Sequence, residues 1–185
     1  APMPVITSST PGDCFYVAYE ACRIAVKYMT PVMVLTDGYL ANGSEPWQIP
    51  KLSDLPEIKV KFANKSSKVD DQYMPYLREK KTLARPWALP GTTGLEHRIG
   101  GLEKEDVTGN VSYDPENHHH MVETRAKKVA NISSEFDKTE IYGKKSGDVL
   151  ILAWGGTRGA CRSAAESLIN DGCKVGYVHL RWINP

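Results

Sequence analysis

Apolar residues gather at the two ends of the chain and thin out between them. Val149 to Trp154 is an unbroken apolar run, suited to a parallel strand buried on both faces. Gly155 and Gly156 then turn the chain sharply. Ala160 to Asn170 follows at helical spacing, with Ala160, Ala164, Ser167 and Leu168 near one face. Asp171-Gly172 ends that helix, because glycine readily takes the left-handed C-terminal conformation. Val175 to Leu180 is a second apolar run. Strand, Gly-rich turn, helix and strand together predict a right-handed βαβ unit. Its parallel strands need cover on both faces, and no further strand is predicted beside them. Either residues 1–60 supply the missing strands or the chain is a fragment of a larger protein. The fragment is the favoured reading.

The opening of the chain predicts a second, equally incomplete unit. Pro4 to Thr7 reads as a short strand. Thr10-Pro11-Gly12-Asp13 is a helix start, with a hydroxyl cap, a first-turn proline and an acid three residues after the cap. Phe15, Ala18, Cys22, Ala25, Val26 and Met29 then mark the buried face of a helix over about residues 11–29. Thr30-Pro31 stops it. Val32 to Thr36 predicts a buried, parallel-type strand ending at Asp37-Gly38. It is expected to close a sheet that begins before Ala1.

Residues 42–110 are rich in Pro, Gly, Lys and Asp, with weak periodicity. Ile58, Val60 and Phe62 alternate in one extended piece, Lys65 to Asp71 is polar, and Arg85 to Gly91 is rigid, loop-like chain. Such length without elements is unusual inside a compact domain, so it reads as an interdomain linker lying on another surface. Asp114-Pro115-Glu116 opens another helix with a cap, a first-turn proline and an early acid, running to about Ile132. Residues 133–146 are expected to continue it as far as Gly147.

Composition narrows the class. The chain is 41% apolar and 24% charged, as in ordinary globular proteins. Its net charge of +1 marks neither a nucleic-acid nor a membrane partner. No apolar stretch reaches the roughly 18 residues of a membrane span. Cys14, Cys22, Cys161 and Cys173 have no metal-like spacing. They read as reduced, small apolar residues, which fits a cytoplasmic protein. There is no signal peptide, and a start at Ala1 suggests a cut rather than a natural beginning.

Three stretches carry candidate chemistry. His118-His119-His120 invites a metal, but helical neighbours point about 100° apart and cannot chelate one ion from one face. A solvated helix face is the preferred reading. Gly155-Gly156-Thr157-Arg158 is a candidate anion-binding turn, with backbone N–H groups, a helix start and a guanidinium. Against this, the full dinucleotide glycine pattern is missing, and Val178-His179-Leu180-Arg181 stands where an acid would end the second strand. A packing turn is the plainer alternative. Glu96, His97 and Arg98 place an acid, an imidazole and a guanidinium on a Gly-bounded loop, which is a plausible site edge or simply a surface loop. From residues alone, the fold class is α/β: two partial units and a linker.

Several of these pieces resemble one family in its own order. Thr30-Pro31-Val32-Met33-Val34-Leu35-Thr36-Asp37-Gly38-Tyr39-Leu40 is similar to the last strand of the pyrimidine-side domain in the alpha subunit of 2-oxoacid:ferredoxin oxidoreductases. Pro90 to His97, with Asn110-Val111-Ser112 and Asp114 to Asn117, resembles that subunit's linker. Trp154 to Gly159 and His179-Leu180-Arg181 resemble the following domain, related to the transketolase C-terminal domain. The similarity leans towards the 2-oxoglutarate branch.

The resemblance implies partial three-layer parallel-sheet units. Residues 1–48 would end the pyrimidine domain, 49–145 would be the linker with its helix at about 115–132, and 146–185 would begin the transketolase C-terminal-like domain. It implies a thiamine-diphosphate-dependent oxidation of a 2-oxoacid, with electrons passing through iron–sulfur centres to ferredoxin and the acyl group to coenzyme A. The diphosphate, its magnesium and an iron–sulfur cluster are expected on the partner beta subunit, with none bound by this chain alone. The Tyr-Pro-Ile-Thr-Pro signature and the activating glutamate of the family are not present. The chain is therefore expected to carry no catalytic residue and no turnover by itself. The resemblance places Glu96, His97 and Arg98 at the active-site edge, with Arg98 facing an anionic group, and lays apolar parts of residues 45–90 against a partner chain. The alternatives are a non-catalytic α/β interaction module and a nucleotide-binding domain using Gly155 to Gly159.

Overall fold

The computed structural model describes residues 2–64, 67–137 and 139–185. It is a mixed α/β structure in two compact units. One comprises Pro4–Cys22, Val32–Pro56 and Glu135–Pro185, and the other Ala1–Met3, Arg23–Pro31 and Glu57–Ser134.

The first unit holds two small sheets. Strand β1 (Val5–Thr7) lies parallel to β2 (Met33–Leu35), with Ile6 opposite Val34, and antiparallel to β8 (Trp182–Asn184) on its other side. Helix α1 (Asp13–Tyr28) starts as its sequence predicts: the Asp13 N–H donates to Thr10 Oγ1 at 3.2 Å, and the Asp13 carboxylate accepts from the Ser9 N–H at 2.9 Å. It ends before Met29, whose φ is +46°. Val17 and Ala21 pack against Ile6, with Val32, Val34 and Trp182 around them.

The second sheet has the order β5-β7-β6. Strand β6 (Val149–Trp154) runs parallel to β7 (Val175–Leu180), joined by α4 (Arg158–Asn170), and the short β5 (Tyr142–Gly143) pairs antiparallel with β7. Gly172, at φ +85°, ends α4 as expected. Ala153, Val175 and Tyr177 bury against Ala165, with Cys161 and Ile169 of the helix beside them.

Several expectations need correcting. Strand β6 is not covered on both faces. Leu150, Leu152 and Trp154, which alternate to one side, stay 60%, 59% and 49% exposed, because α4 covers only the other side. Strand β2 is likewise an edge, with Met33 exposed. In α1 the buried residues are Val17, Ala21, Ile24 and Tyr28, while Phe15, Ala18 and Cys22 face water. In α4 Ala165 is buried, with Cys161 and Ile169 part-buried beside it, while Ala160, Ala164 and Leu168 are exposed. Each helix carries two apolar stripes of the same period, so periodicity gives the spacing but not the phase. Residues 133–146 do not prolong the helix: a 3-10 turn (Ile132–Glu135) breaks it, and β5 follows. Trp182–Asn184, not predicted as a strand, pairs with β1.

The second unit is built on α3 (Pro115–Asn131). Asp114 caps it, accepting from the Glu116 and Asn117 N–H groups at 3.2 and 3.3 Å. Met121, Val129 and Ile132 are buried, as are Ile24 and Tyr28 of α1. Among its described residues, the long coil beside them forms the two-residue strands β3 (Lys68–Val69) and β4 (Gln72–Tyr73) and a few isolated bridges. Lys65 and Ser66, in the polar stretch, fall outside the described residues. Of the predicted extended piece, only Phe62 pairs, in a single bridge to Trp87. Side chains tie the coil down by capping backbone groups. Trp87 Nε1 donates to the Val26 carbonyl at 2.8 Å, Asn117 Nδ2 to that of Lys104 at 3.0 Å, and Asn131 Nδ2 to that of Lys81 at 3.0 Å.

Lys128 is 8% exposed and donates to the Met29 carbonyl at 3.0 Å. Burial, reinforced by Arg78, Arg85 and Arg125, lowers its pKa to about 8. Between about pH 8 and 10.5 the unfolded chain holds a proton at this site that the folded chain has released, so this group makes stability rise with pH across that window. The difference is worth roughly 3 kcal/mol. Urea unfolding of Lys128→Met should show a higher midpoint at pH 7 and a flatter pH profile above 8; an unchanged profile would refute the buried charge.

Candidate functional site

The candidate loop lies in the unit built on α3. Buried Leu95 anchors it, and Gly94 turns it with φ +80°. Glu96 is exposed, and its carboxylate accepts from the Gly94 N–H at 2.8 Å. His97 is half-buried, edge-on to the Tyr73 ring at 5.4 Å. Its Nδ1 sits 2.8 Å from the Leu95 carbonyl. A carbonyl only accepts, so Nδ1 carries the proton and Nε2 is left to meet a ligand. Arg98 is exposed, and no described side chain pairs with it. Among the described residues no hydrogen bond joins Glu96, His97 and Arg98 to one another. The loop therefore leaves Arg98 exposed and holds the His97 ring half-buried between the Leu95 carbonyl and Tyr73.

In the other unit, Gly155 turns the chain after β6 with φ +71°. The Gly156 N–H donates at 2.7 Å to Oδ2 of Asp37, which also caps the short helix α2 (Gly38–Asn42) by accepting from the Leu40 N–H at 2.9 Å. These two backbone bonds, Leu40 first, hold the Asp37 carboxyl below the usual range. The turn thus already holds an anion, supplied by the chain itself. In the sequence Asp37 marks only a strand end. Its acidic side chain followed by glycine is a cap signal, but its bond to a glycine 119 residues later leaves no local trace.

Thr157 donates its hydroxyl to the Trp154 carbonyl at 2.7 Å, which keeps it within the turn. Arg158 opens a cavity of about 530 Å³ that it shares with Arg162, Tyr177, His179, Arg181 and Asp13. Arg162 pairs with Glu166 at 2.8 Å and Arg181 with Asp13 at 2.7 Å. The Tyr177 hydroxyl is 2.8 Å from His179 Nδ1. Burial, then the Arg158 charge, lower the His179 pKa, so its neutral form is favoured.

The three consecutive histidines diverge. His118 meets Glu103 at 2.7 Å, His119 meets Glu123 at 3.3 Å, and His120 meets Asp106 at 3.0 Å. Arg125 completes the first contact, grasping both Glu103 oxygens at 3.2 and 3.3 Å and lowering that carboxyl's pKa. All four cysteines are free thiols.

Comparison with known proteins locates the chain. The family described as "Pyruvate flavodoxin/ferredoxin oxidoreductase, thiamine diP-bdg" matches residues 1–114. The chain belongs to that family. The chain is 44% identical to the 2-oxoglutarate oxidoreductase subunit KorA of Mycobacterium tuberculosis, over all of its own length and 28% of that relative's. It is 30% identical to the 2-oxoacid:ferredoxin oxidoreductase subunit alpha of Saccharolobus solfataricus, over all of its length and 29% of that chain. Among solved structures, a 2-oxoglutarate:ferredoxin oxidoreductase from Magnetococcus marinus, with 2-oxoglutarate, coenzyme A and succinyl-CoA bound, superposes with a TM-score of 0.86 at 30% identity. That match covers 97% of this chain and 31% of the other. The chain thus spans less than a third of the length of these relatives. Among the described residues no group of three His, Cys, Asp or Glu side chains is set to hold a metal ion, and the magnesium of a thiamine diphosphate is not assigned to them. No step through that cofactor is assigned to these residues.

A Cβ at Gly156 would lie 2.8 Å from both Asp37 carboxylate oxygens. Gly156→Ala should lower unfolding stability by about 1–3 kcal/mol, read as a reduced urea midpoint with an unchanged slope. A midpoint equal to the parent's would show that the carboxylate contact contributes nothing.

Proposed function

We propose that the chain is the alpha-subunit portion of a thiamine-diphosphate-dependent 2-oxoacid:ferredoxin oxidoreductase acting on 2-oxoglutarate. The observation that carries this reading is the alignment of the entire chain with a 2-oxoglutarate oxidoreductase subunit at 44% identity. Family membership over residues 1–114 and the superposition on the Magnetococcus marinus enzyme support it. The overall reaction is oxidative decarboxylation to acyl-CoA, with electrons passing to ferredoxin. Thiamine diphosphate supplies the electron sink for decarboxylation when bound. In this reading the cofactor, its magnesium and an iron–sulfur cluster belong to the partner beta subunit, in the cytoplasm.

Residues 1–48 would end the pyrimidine domain, 49–145 form the linker, and 146–185 begin the transketolase C-terminal-like domain. The three-layer architecture would then be completed by polypeptide of the kind the longer relatives carry. Bare apolar surface on β6, the second apolar stripe of α4, and the exposed Ile49, Leu52 and Leu89 all fit this. A nucleotide site at Gly155 to Gly159 is less favoured, since the Gly156 amide already holds Asp37.

Within this reading Glu96, His97 and Arg98 edge the active site. Arg98, unpaired among described side chains, would meet a carboxylate or phosphate of the substrates, with His97 Nε2 beside it. Arg98→Ala in the assembled complex should reduce kcat/KM for the oxoacid or for coenzyme A roughly tenfold or more. Kinetics equal to the parent's for both substrates would remove Arg98 from the site. The chain alone should give no thiamine-dependent reduction of a viologen dye with 2-oxoglutarate and coenzyme A. Turnover by the isolated chain would overturn the division of labour between subunits.

A further inference from the structure

Positive charge is spread unevenly over this chain. Net charge is only +1, yet one cavity in the unit built on α3 is lined by Arg23, Lys27, Lys59, Lys61, Arg78 and Arg85 against just two carboxylates, Glu57 and Glu79. The cavity is about 480 Å³, a size typical of small-molecule sites. Lys59 and Glu57 pair at 3.3 Å with both side chains about three-quarters exposed, so that pair offsets little of the field.

Of two arginines that line it, Arg85 has no acidic partner among the described residues and Arg78 has one long ion pair. Arg85 lies 4.0 Å over the Tyr76 ring and donates to the Pro75 carbonyl and the Met29 sulfur, each at 3.1 Å; among the described residues it meets no carboxylate. The Arg78 side chain is only 9% exposed. Its Nη1 donates to the Leu83 carbonyl at 3.1 Å, but its buried Nε makes no hydrogen bond. The nearest carboxylate, Asp106, is 3.8 Å away and is shared with His120. The positive charge of Arg78 in the cavity wall is thus answered by a single shared carboxylate that does not itself line the cavity. Close by, burial first and then the charges of Arg78, Arg85 and Arg125 lower the Lys128 pKa.

The cavity also has a flat apolar wall. Phe62 is 51% exposed and is held beside Trp87 by paired backbones, Trp87 N–H to the Lys61 carbonyl and Ala63 N–H to the Trp87 carbonyl, both at 2.8 Å. Trp87 is pinned through its indole N–H to Val26. An exposed phenylalanine ring beside cations suits a planar base carried on phosphates.

We propose that this cavity binds a nucleoside diphosphate, its phosphates against Arg78, Arg85 and Lys61 and its base against Phe62 and Trp87. The site lies outside the Gly155 turn and does not depend on the oxidoreductase reading. Calorimetric titration of ADP, inorganic diphosphate and adenosine into the protein at low salt tests it. ADP should bind about tenfold more tightly than diphosphate, because only ADP adds the base stack. Adenosine should give no measurable binding, and ADP affinity should fall as salt rises. Lys61→Glu and Phe62→Ala alter exposed side chains, so circular dichroism should be unchanged. Each should weaken ADP about tenfold, and Phe62→Ala should bring ADP level with diphosphate. Absence of ADP binding, equal affinity for ADP and diphosphate in the unaltered protein, or undiminished ADP binding by both folded variants would overturn the proposal.

Discussion

A parallel strand pair needs cover on both of its faces; β7 has it, with Val175, Tyr177 and Val178 all buried, but β6 lacks it on one. Helix α4 seals the side of Ile151, Ala153, Val175 and Tyr177, while Leu150, Leu152 and Trp154 form an apolar row on the other. The same imbalance recurs in the helices. Helix α1 buries Val17, Ala21, Ile24 and Tyr28 yet leaves Phe15 and Tyr16 exposed, and α4 leaves Leu168 part-open. A helix apolar on two sides is made to sit between two layers. This surplus of apolar surface is what gives the family membership its physical sense. The chain matches less than a third of the length of its relatives and leaves apolar faces unpaired.

Where no sheet organises the chain, side chains replace the missing backbone ladders. The coil beside α3 is held by Trp87, Asn117 and Asn131 reaching main-chain carbonyls, and by Lys104, whose ammonium meets the Gly100 and Leu102 carbonyls at 2.6 Å. The loop of Glu96, His97 and Arg98 is held in the same way, by the Glu96 carboxylate on the Gly94 N–H and by His97 Nδ1 on the Leu95 carbonyl, leaving Arg98 exposed. Such stitching also crowds arginines and lysines together, so the same unit carries both a lowered Lys128 pKa and a cationic cavity. In the other unit, Asp37 does related work by filling the Gly155–Gly156 turn with the chain's own carboxylate.

The elements were legible wherever their signals are local. The Thr10 to Asp13 start of α1, the Asp114-Pro115 start of α3 and the strand-turn-helix-strand order after Val149 can all be read from a few adjacent residues. The phase of α1 and α4 was not, because both carry two apolar stripes and only the neighbours decide which is buried. Strand β8 was missed because Trp182-Ile183-Asn184 is too short to show a period, and it exists through pairing with β1 at the far end of the sequence. Of the site, the Gly-bounded loop and the turn were visible as polar groups beside glycines. The Asp37–Gly156 bond and the Arg78–Arg85 cluster were not, since each depends on contacts that sequence spacing does not encode.

The most direct test of the central claim, that this fold is completed by further polypeptide, is hydrogen exchange across residues 149–154. It should be measured on the chain alone and again in the assembled oxidoreductase. The account predicts fast exchange of the β6 amides that do not pair with β7 in the chain alone, and strong slowing on assembly. Equal rates in the two states would contradict it.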